Sequence, residues 1–221
     1  MTIQLPDFEK AFEYENYYYL SSGITRMRKL IAHYEFYKMA AKIPGDIVEC
    51  GVFKGASFMR WAKFREIFGQ TDERSIIGFD TFGTFPETEF AADQEKRAEF
   101  IRKAGSESIS AEQLHRVLDR LGLDRKIDLV EGNILQVMPD YLKARPDLKI
   151  ALLLIDVDTY EAAKCSLESL YPFVVQGGII VFDDYGVFPG TTKAVDDFMR
   201  ETNHVISKLA VSEKTNFIRK V

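Results

Sequence analysis

The sequence predicts a doubly wound α/β sheet, mostly parallel with helices on both faces. Three observations predict it. Short apolar runs alternate with segments of helical periodicity, the runs are apolar at nearly every position, and most of them end on an acidic residue. Near-continuous apolar strands belong to parallel sheets covered on both sides, because a strand wet on one face would alternate. No repeat, low-complexity tract or Pro/Gly-rich linker divides the 221 residues, so a single domain over 1–221 is expected.

Taken in order, residues 1–45 read as an N-terminal helical cap. A helix around Ile24–Ala41 follows an aromatic cluster of Phe12, Tyr14, Tyr17, Tyr18 and Tyr19. The strands are DIVECGV (46–52), SIIGFDT (75–81), IDLVEGN (127–133), KIALLLIDVD (149–158) and GGIIVFDDY (177–185). Between them, Ser110 and Gln113 form a capping box, after which Leu114, Val117, Leu118 and Leu121 recur at helical spacing. Ala194, Val195, Phe198 and Met199 make one apolar face after a Pro189-Gly190 turn, and ISKLAVSE and TNFIRKV offer two tail strands. Residues 82–109 are a long charged excursion that reads as a lid-like insert, with a dimer contact or a solvated helix as the alternative.

The 46% hydrophobic content suits a sizeable core, and the net charge of −5 argues against nonspecific binding to nucleic acid. No run of about 18 apolar residues exists to span a membrane, and the N-terminus has no secretory pattern. Cys50 and Cys165 lie in apolar stretches outside any CxxC pair, which is the usage of reduced thiols in a cytoplasmic protein.

In an open parallel sheet, ligands bind beyond the carboxyl ends of the strands, where the strand order reverses. Acids gather at those ends: Glu49, Asp80, Asp156 with Asp158, and the Asp183–Asp184 pair. The first turn, Glu49-Cys50-Gly51-Val52-Phe53-Lys54-Gly55, has glycines that let a ligand approach the backbone. It is neither GxGxxG nor a P-loop, which favours a ligand without a phosphate there. Asp80 is set to accept from a ribose diol, with a helix N-cap as the alternative. Asp156, Asp158, Asp183 and Asp184 would repel one another unless a cation sits among them, and oxygen donors without His or Cys suit Mg²⁺, Ca²⁺ or Mn²⁺.

Four stretches, PGDIVECGVFKGAS, GFDTFGTFPE, LLLIDVDTYEAAKCSLESLYPFVVQGGIIVFDDYG and PGTTKAVDDF, resemble in order the macrocin O-methyltransferase family of sugar-methylating class I methyltransferases. The resemblance spans roughly Ile24 to Arg200. It implies a Rossmann-like sheet, S-adenosyl-L-methionine as methyl donor, and a divalent cation such as Mg²⁺. It also implies that the acceptor is a sugar hydroxyl, on a deoxyhexose or a nucleotide-linked sugar, for example at the 3-position. By that resemblance Glu49 and Gly51 line the methionine part of the cofactor, Asp80 holds the ribose with Phe82 nearby, and Gly132 and Asn133 edge the adenine. Asp156, Asp183 and Asp184 match metal ligands, and Asp156 is also the general base. Some family members carry a glycine between the two acids where Val157 stands here.

Other side chains invite weaker readings. His33, His115 and His204 are rival bases that the pattern places in packing or surface roles, and Tyr160 reads as packing. Arg26, Arg28 and Lys29 would meet a diphosphate if the acceptor carries one; Arg60 and Lys63 read as surface. Three alternatives stay open: a catechol-type O-methyltransferase, a Mg²⁺-dependent phosphotransferase, and a non-enzymatic nucleotide-binding protein. The first would favour an aromatic pocket, the second a nucleophilic aspartate after the first strand, where Glu49-Cys50-Gly51 stands. A homo-oligomer through the N-terminal aromatics is also expected.

Overall fold

The computed structural model describes residues 3–212 and 214–221, so Met1 and Thr2 of the predicted cap and Glu213 of the predicted tail strand lie outside the described residues. Two helices, α1 (Ala11–Ser21) and α2 (Ile24–Ala40), precede the first strand. The strands are β1 (Asp46–Cys50), β2 (Ile76–Asp80), β3 (Ile127–Glu131), β4 (Ile150–Ile155), β5 (Val174–Phe182), β6 (Ser207–Lys208) and β7 (Asn216–Arg219). Helices α3 (Ala56–Ile67), α4 (Ala91–Ala104), α5 (Ala111–Arg120), α6 (Ile134–Ala144), α7 (Tyr160–Leu170) and α8 (Pro189–Glu201) connect them.

The sheet runs β3-β2-β1-β4-β5-β7-β6. The first five strands pair in parallel, and β7 and β6 close one edge antiparallel. Order reverses between β1 and β4, so the switch point lies at the ends of those two strands. Side chains alternate across the sheet. Ile47, Leu152, Leu154, Ile179 and Val181 join one core layer with α2, α3 and α5, while Val48, Ile77, Leu153, Ile155 and Ile180 join the other with α6, α7 and α8. That double cover is why the strands read as unbroken apolar runs.

Helix α2 buries Ala32, His33, Phe36, Tyr37 and Ala40, an i, i+1, i+4 pattern that faces α3 and the sheet. Its C-terminal end is held by Arg74, whose guanidinium donates to the carbonyls of Ala40, Ala41 and Ile43. Helix α1 buries none of its residues, and Phe12, Tyr17 and Tyr19 of the predicted aromatic cluster stand exposed. The Ser110–Gln113 capping box forms as predicted.

Two expectations change. ISKLAVSE yields only the two-residue β6, because β7 alone pairs with β5. Pro189 and Gly190 are the first residues of α8, not a turn, since a proline at the first helical position leaves no bond unmade. Within the excursion 82–109, Ala91–Ala104 form α4. Among the described residues, no helix is long and apolar enough to cross a membrane.

Candidate active site

A cavity of about 640 Å³ opens at the switch point, within the roughly 300–1,000 Å³ range of small-molecule sites. Its floor is the first turn. Gly51 adopts φ +92°, and a Cβ there would meet the Asp156 carbonyl oxygen at 1.8 Å. Only glycine lets the ends of β1 and β4 close together, joined by Asp156 N–H donating to the Cys50 carbonyl at 2.9 Å.

Asp80 fixes the shape of that turn. Its Oδ2 accepts from the amides of Val52 and Phe53, both at 2.8 Å, and its Oδ1 from the amide of Phe82 at 2.8 Å. The Thr81 hydroxyl also lies 3.4 Å from Oδ1 but has a nearer acceptor in the Thr84 carbonyl at 3.1 Å, so Asp80, which lines the cavity, can serve the turn and still receive a ligand hydroxyl there. Gly132 (φ +139°) and Asn133 border the same end; Asn133 caps α6 by accepting from Leu135 N–H at 3.0 Å.

Glu49 and Phe82 are the two expected cofactor contacts that do not line the cavity. Strand alternation turns Glu49 to the face covered by α3, where it is fully buried and its Oε1 accepts from the Ser57 hydroxyl. Burial pushes its carboxyl well above the usual range. Ser57, not Glu49, reaches the cavity wall. Phe82 sits at φ 49° and packs into the core layer of α2, α3 and α5, leaving only its amide beside Asp80.

The other end of the cavity is acidic. Asp156, Asp158, Asp183 and Asp184 all line it. Asp156, Asp158 and Asp184 each bring a carboxylate oxygen within 4.8 Å of the others, and Asp184 Oδ2 is buried without a partner. Burial, together with the neighbouring acids, raises Asp156 and Asp184 well above the usual carboxylate range and takes Asp158 up to about 7. Asp158 holds φ 62°, a left-handed conformation costly for a non-glycine residue, which places its side chain among the other acids. Crowded carboxyls of this kind must take up protons or a cation. An all-oxygen donor set with an orphaned oxygen fits a hard divalent cation.

Asp183 stands apart from that trio. Its Oδ2 accepts from Lys29 Nζ at 2.5 Å and its Oδ1 from the Thr215 hydroxyl at 3.3 Å. Burial acts to raise its pKa, and the Lys29 ammonium outweighs it, holding the carboxyl below the usual value. Lys29 Nζ also lies 3.6 Å from Asp156 Oδ2. Sequence reasoning grouped Lys29 with Arg26 and Arg28 and missed this contact, and it missed Thr215 altogether; a helix before the sheet and a strand after it carry no local sign of meeting at a strand end.

The insert 82–109 supplies the outer wall through Phe85, Pro86, Glu87, Thr88 and Phe100. It is pinned at two points. Buried Asp93 accepts from the amides of Tyr160 (3.1 Å) and Gly190 (2.7 Å), tying α4 to the first turns of α7 and α8. Glu161 accepts from the Phe90 amide and the Thr88 hydroxyl. Phe100 meets Phe53, Phe85 and Phe188, giving the wall an aromatic lining. Of the remaining sequence candidates, Tyr160 stacks on Phe90 and donates to Asp197, and His204 contacts the Tyr171 hydroxyl away from the cavity. His33 is fully buried, stacked on Trp61, and burial takes it down to about 3. Arg60 lines the cavity instead of lying on the open surface.

Residues 14–220 match the family described as Macrocin-O-methyltransferase (TylF). The chain belongs to this family. It is 30% identical over 153 residues, 67% of this chain and 56% of that one, to an 8-demethyl-8-(2,3-dimethoxy-alpha-L-rhamnosyl)-tetracenomycin-C 4'-O-methyltransferase of Streptomyces olivaceus. It is also 30% identical, over 71% of this chain and 58% of that one, to a demethyldecarbamoylnovobiocin O-methyltransferase of Streptomyces niveus. The chain thus spans little more than half the length of these curated relatives. Among solved structures it is similar to CalS11, a calicheamicin methyltransferase, at 25% identity and a TM-score of 0.79, covering 94% of this chain and 84% of that one. The apo form of CalS11, described as a TDP-rhamnose 3'-O-methyltransferase, aligns with a TM-score of 0.69. The macrocin family's Rossmann-like methyltransferase fold is thereby that of this chain.

Proposed function

We propose that this chain is an S-adenosyl-L-methionine-dependent O-methyltransferase that acts on a sugar hydroxyl with the help of a divalent cation such as Mg²⁺. The observation that carries the proposal is one cavity that joins the Gly51–Asp80 turn to the acid cluster. The named relatives act on rhamnosyl and related acceptors, which supports a deoxyhexose substrate. Arg26 and Arg60 line the cavity without a carboxylate within ion-pair distance among the described residues, which supports an acceptor carrying a phosphate. The free thiols of Cys50 and Cys165 accord with a cytoplasmic protein.

In this reading the donor supplies an electrophilic methyl group, and the cation supplies charge that acidifies a hydroxyl held beside it. Gly51 lets the methionine part approach the main chain, Asp80 receives the ribose hydroxyls, and Gly132 and Asn133 edge the adenine. Asp156, Asp183 and Asp184 would hold the cation, with Asp158 beside them; Asp183, now paired with Lys29, would exchange the ammonium for the ion. Asp156, which lines the cavity among the acids, accepts the acceptor hydroxyl's proton. The insert walls the cavity through Phe85 and Phe100.

A second reading, a catechol-type acceptor, is favoured by the aromatic lining of Phe85, Phe100 and Phe188. One assay separates them: methyl transfer from labelled donor to TDP-deoxyhexoses, glycosides and catechols, each with Mg²⁺ or excess chelator. Transfer to a sugar that stops with chelator is expected. Transfer to catechols alone would install the second reading, and undiminished turnover in chelator would remove the cation from the first.

A further inference from the structure

Lys29 places its ammonium against the acid cluster. It reaches Asp183 Oδ2 at 2.5 Å and Asp156 Oδ2 at 3.6 Å, and these are two of the carboxylates assigned above to a divalent ion. A Mg²⁺ ion binds carboxylate oxygens at about 2.0–2.1 Å and demands near-octahedral geometry. An ion shared by Asp156 and Asp183 would therefore stand where the ammonium stands, and two cations cannot share the same pair of oxygens without strong repulsion.

We propose that Lys29 is the resident cation of the acid cluster and that a divalent ion binds by displacing its ammonium from Asp183. The proposal rests on the divalent-cation reading above. Helix α2 is built for such an exchange. Its second half is anchored by Ala32, His33, Phe36 and Tyr37 in the core and by Arg74 at its end. Lys29 lies in the less buried first half, its side chain 29% exposed, on a stem that can swing its charge into the cavity without moving the helix. In the metal-free chain the ammonium neutralises one acid and keeps the Asp183 carboxylate oriented; once displaced, it stands in the cavity beside Arg26, where an anionic acceptor group would meet it.

Two measurements test the exchange. The first is calorimetric titration of the full chain with Mn²⁺ at fixed pH and ionic strength. Lys29→Met is expected to bind Mn²⁺ about tenfold tighter than the parent, and Lys29→Arg, which keeps a cation in place, close to the parent. Equal or weaker binding by a folded Lys29→Met would overturn the proposal while leaving the cation reading intact; no Mn²⁺ binding by either protein would bring down the cation reading itself. The second uses the unsubstituted chain, so that folding of a variant is not at issue. Reductive methylation followed by peptide mass spectrometry should label Lys29 several-fold faster with Mn²⁺ than with chelator, other lysines serving as controls. A rate at Lys29 indifferent to Mn²⁺ would sink the exchange.

Discussion

Asp80 ends β2 and Asp184 follows β5 in the same sheet, and both face the same cavity, yet their surroundings are opposite. Asp80 is surrounded by donors: three main-chain amides, all at 2.8 Å, satisfy it and shape the turn. Asp184 is surrounded by acids, with Asp156 and Asp158 beside it and one oxygen buried without a partner. The difference teaches that a strand-end carboxylate shapes the site when the main chain supplies its donors and calls for a cation when its neighbours repeat its charge. Each half of the cavity then has its own failure mode, and substitutions can tell them apart.

The largest effect is expected at the acidic end. Asp156→Asn should lower turnover by about 10²–10⁴-fold, the usual worth of a positioned proton acceptor, while thermal stability holds or rises because one crowded carboxyl is gone. A loss under tenfold would move the proton acceptor elsewhere. At the other end the pattern should invert. Asp80→Ala strands three amides and should cost about 2–3 kcal/mol in urea unfolding, and cofactor affinity should fall with it. A variant of parental stability would mean that the turn holds itself.

Asp93 sharpens the comparison, since it is buried like the acids of the cluster but satisfied like Asp80. Asp93→Ala should cost about 1–2 kcal/mol and raise the KM for the acceptor more than it lowers kcat, because the insert loses its tie to α7 and α8. The smallest effect concerns pH. Burial takes His33 down to about 3, with Lys29 and Arg60 pushing the same way and Asp183 opposing. The unfolded chain binds this proton below about 6.5 and the folded chain only near 3. Stability from this residue is therefore full above about 6.5 and lost as pH falls toward 3, at no more than about 1.4 kcal/mol per pH unit. His33→Phe should gain on the parent as pH falls from 7 to 4 in matched urea titrations; a constant difference would show that His33 is not held neutral.

Much of this was legible along the chain. The five parallel strands, the Ser110 capping box and the α2 boundaries follow from local periodicity and capping chemistry. Of the residues singled out for the site, Gly51, Asp80, Gly132, Asn133, Asp156, Asp183 and Asp184 all reach one cavity. Glu49 and Phe82 do not, because the direction of a side chain at a strand end depends on which face a helix covers. Tail strand β6 shrank because strand length at an edge is set by the partner strand.

The sequence by itself determined the sheet and the row of acids along its edge, since apolar runs and strand ends are local properties. Tertiary structure alone decided which of those acids share one another's company and which receives a lysine. Lys29 and Asp183 are 154 residues apart, and Asp93 accepts from helix amides 67 and 97 residues later. Electrostatic partners are chosen by distance in space, and no periodicity along the chain encodes that distance.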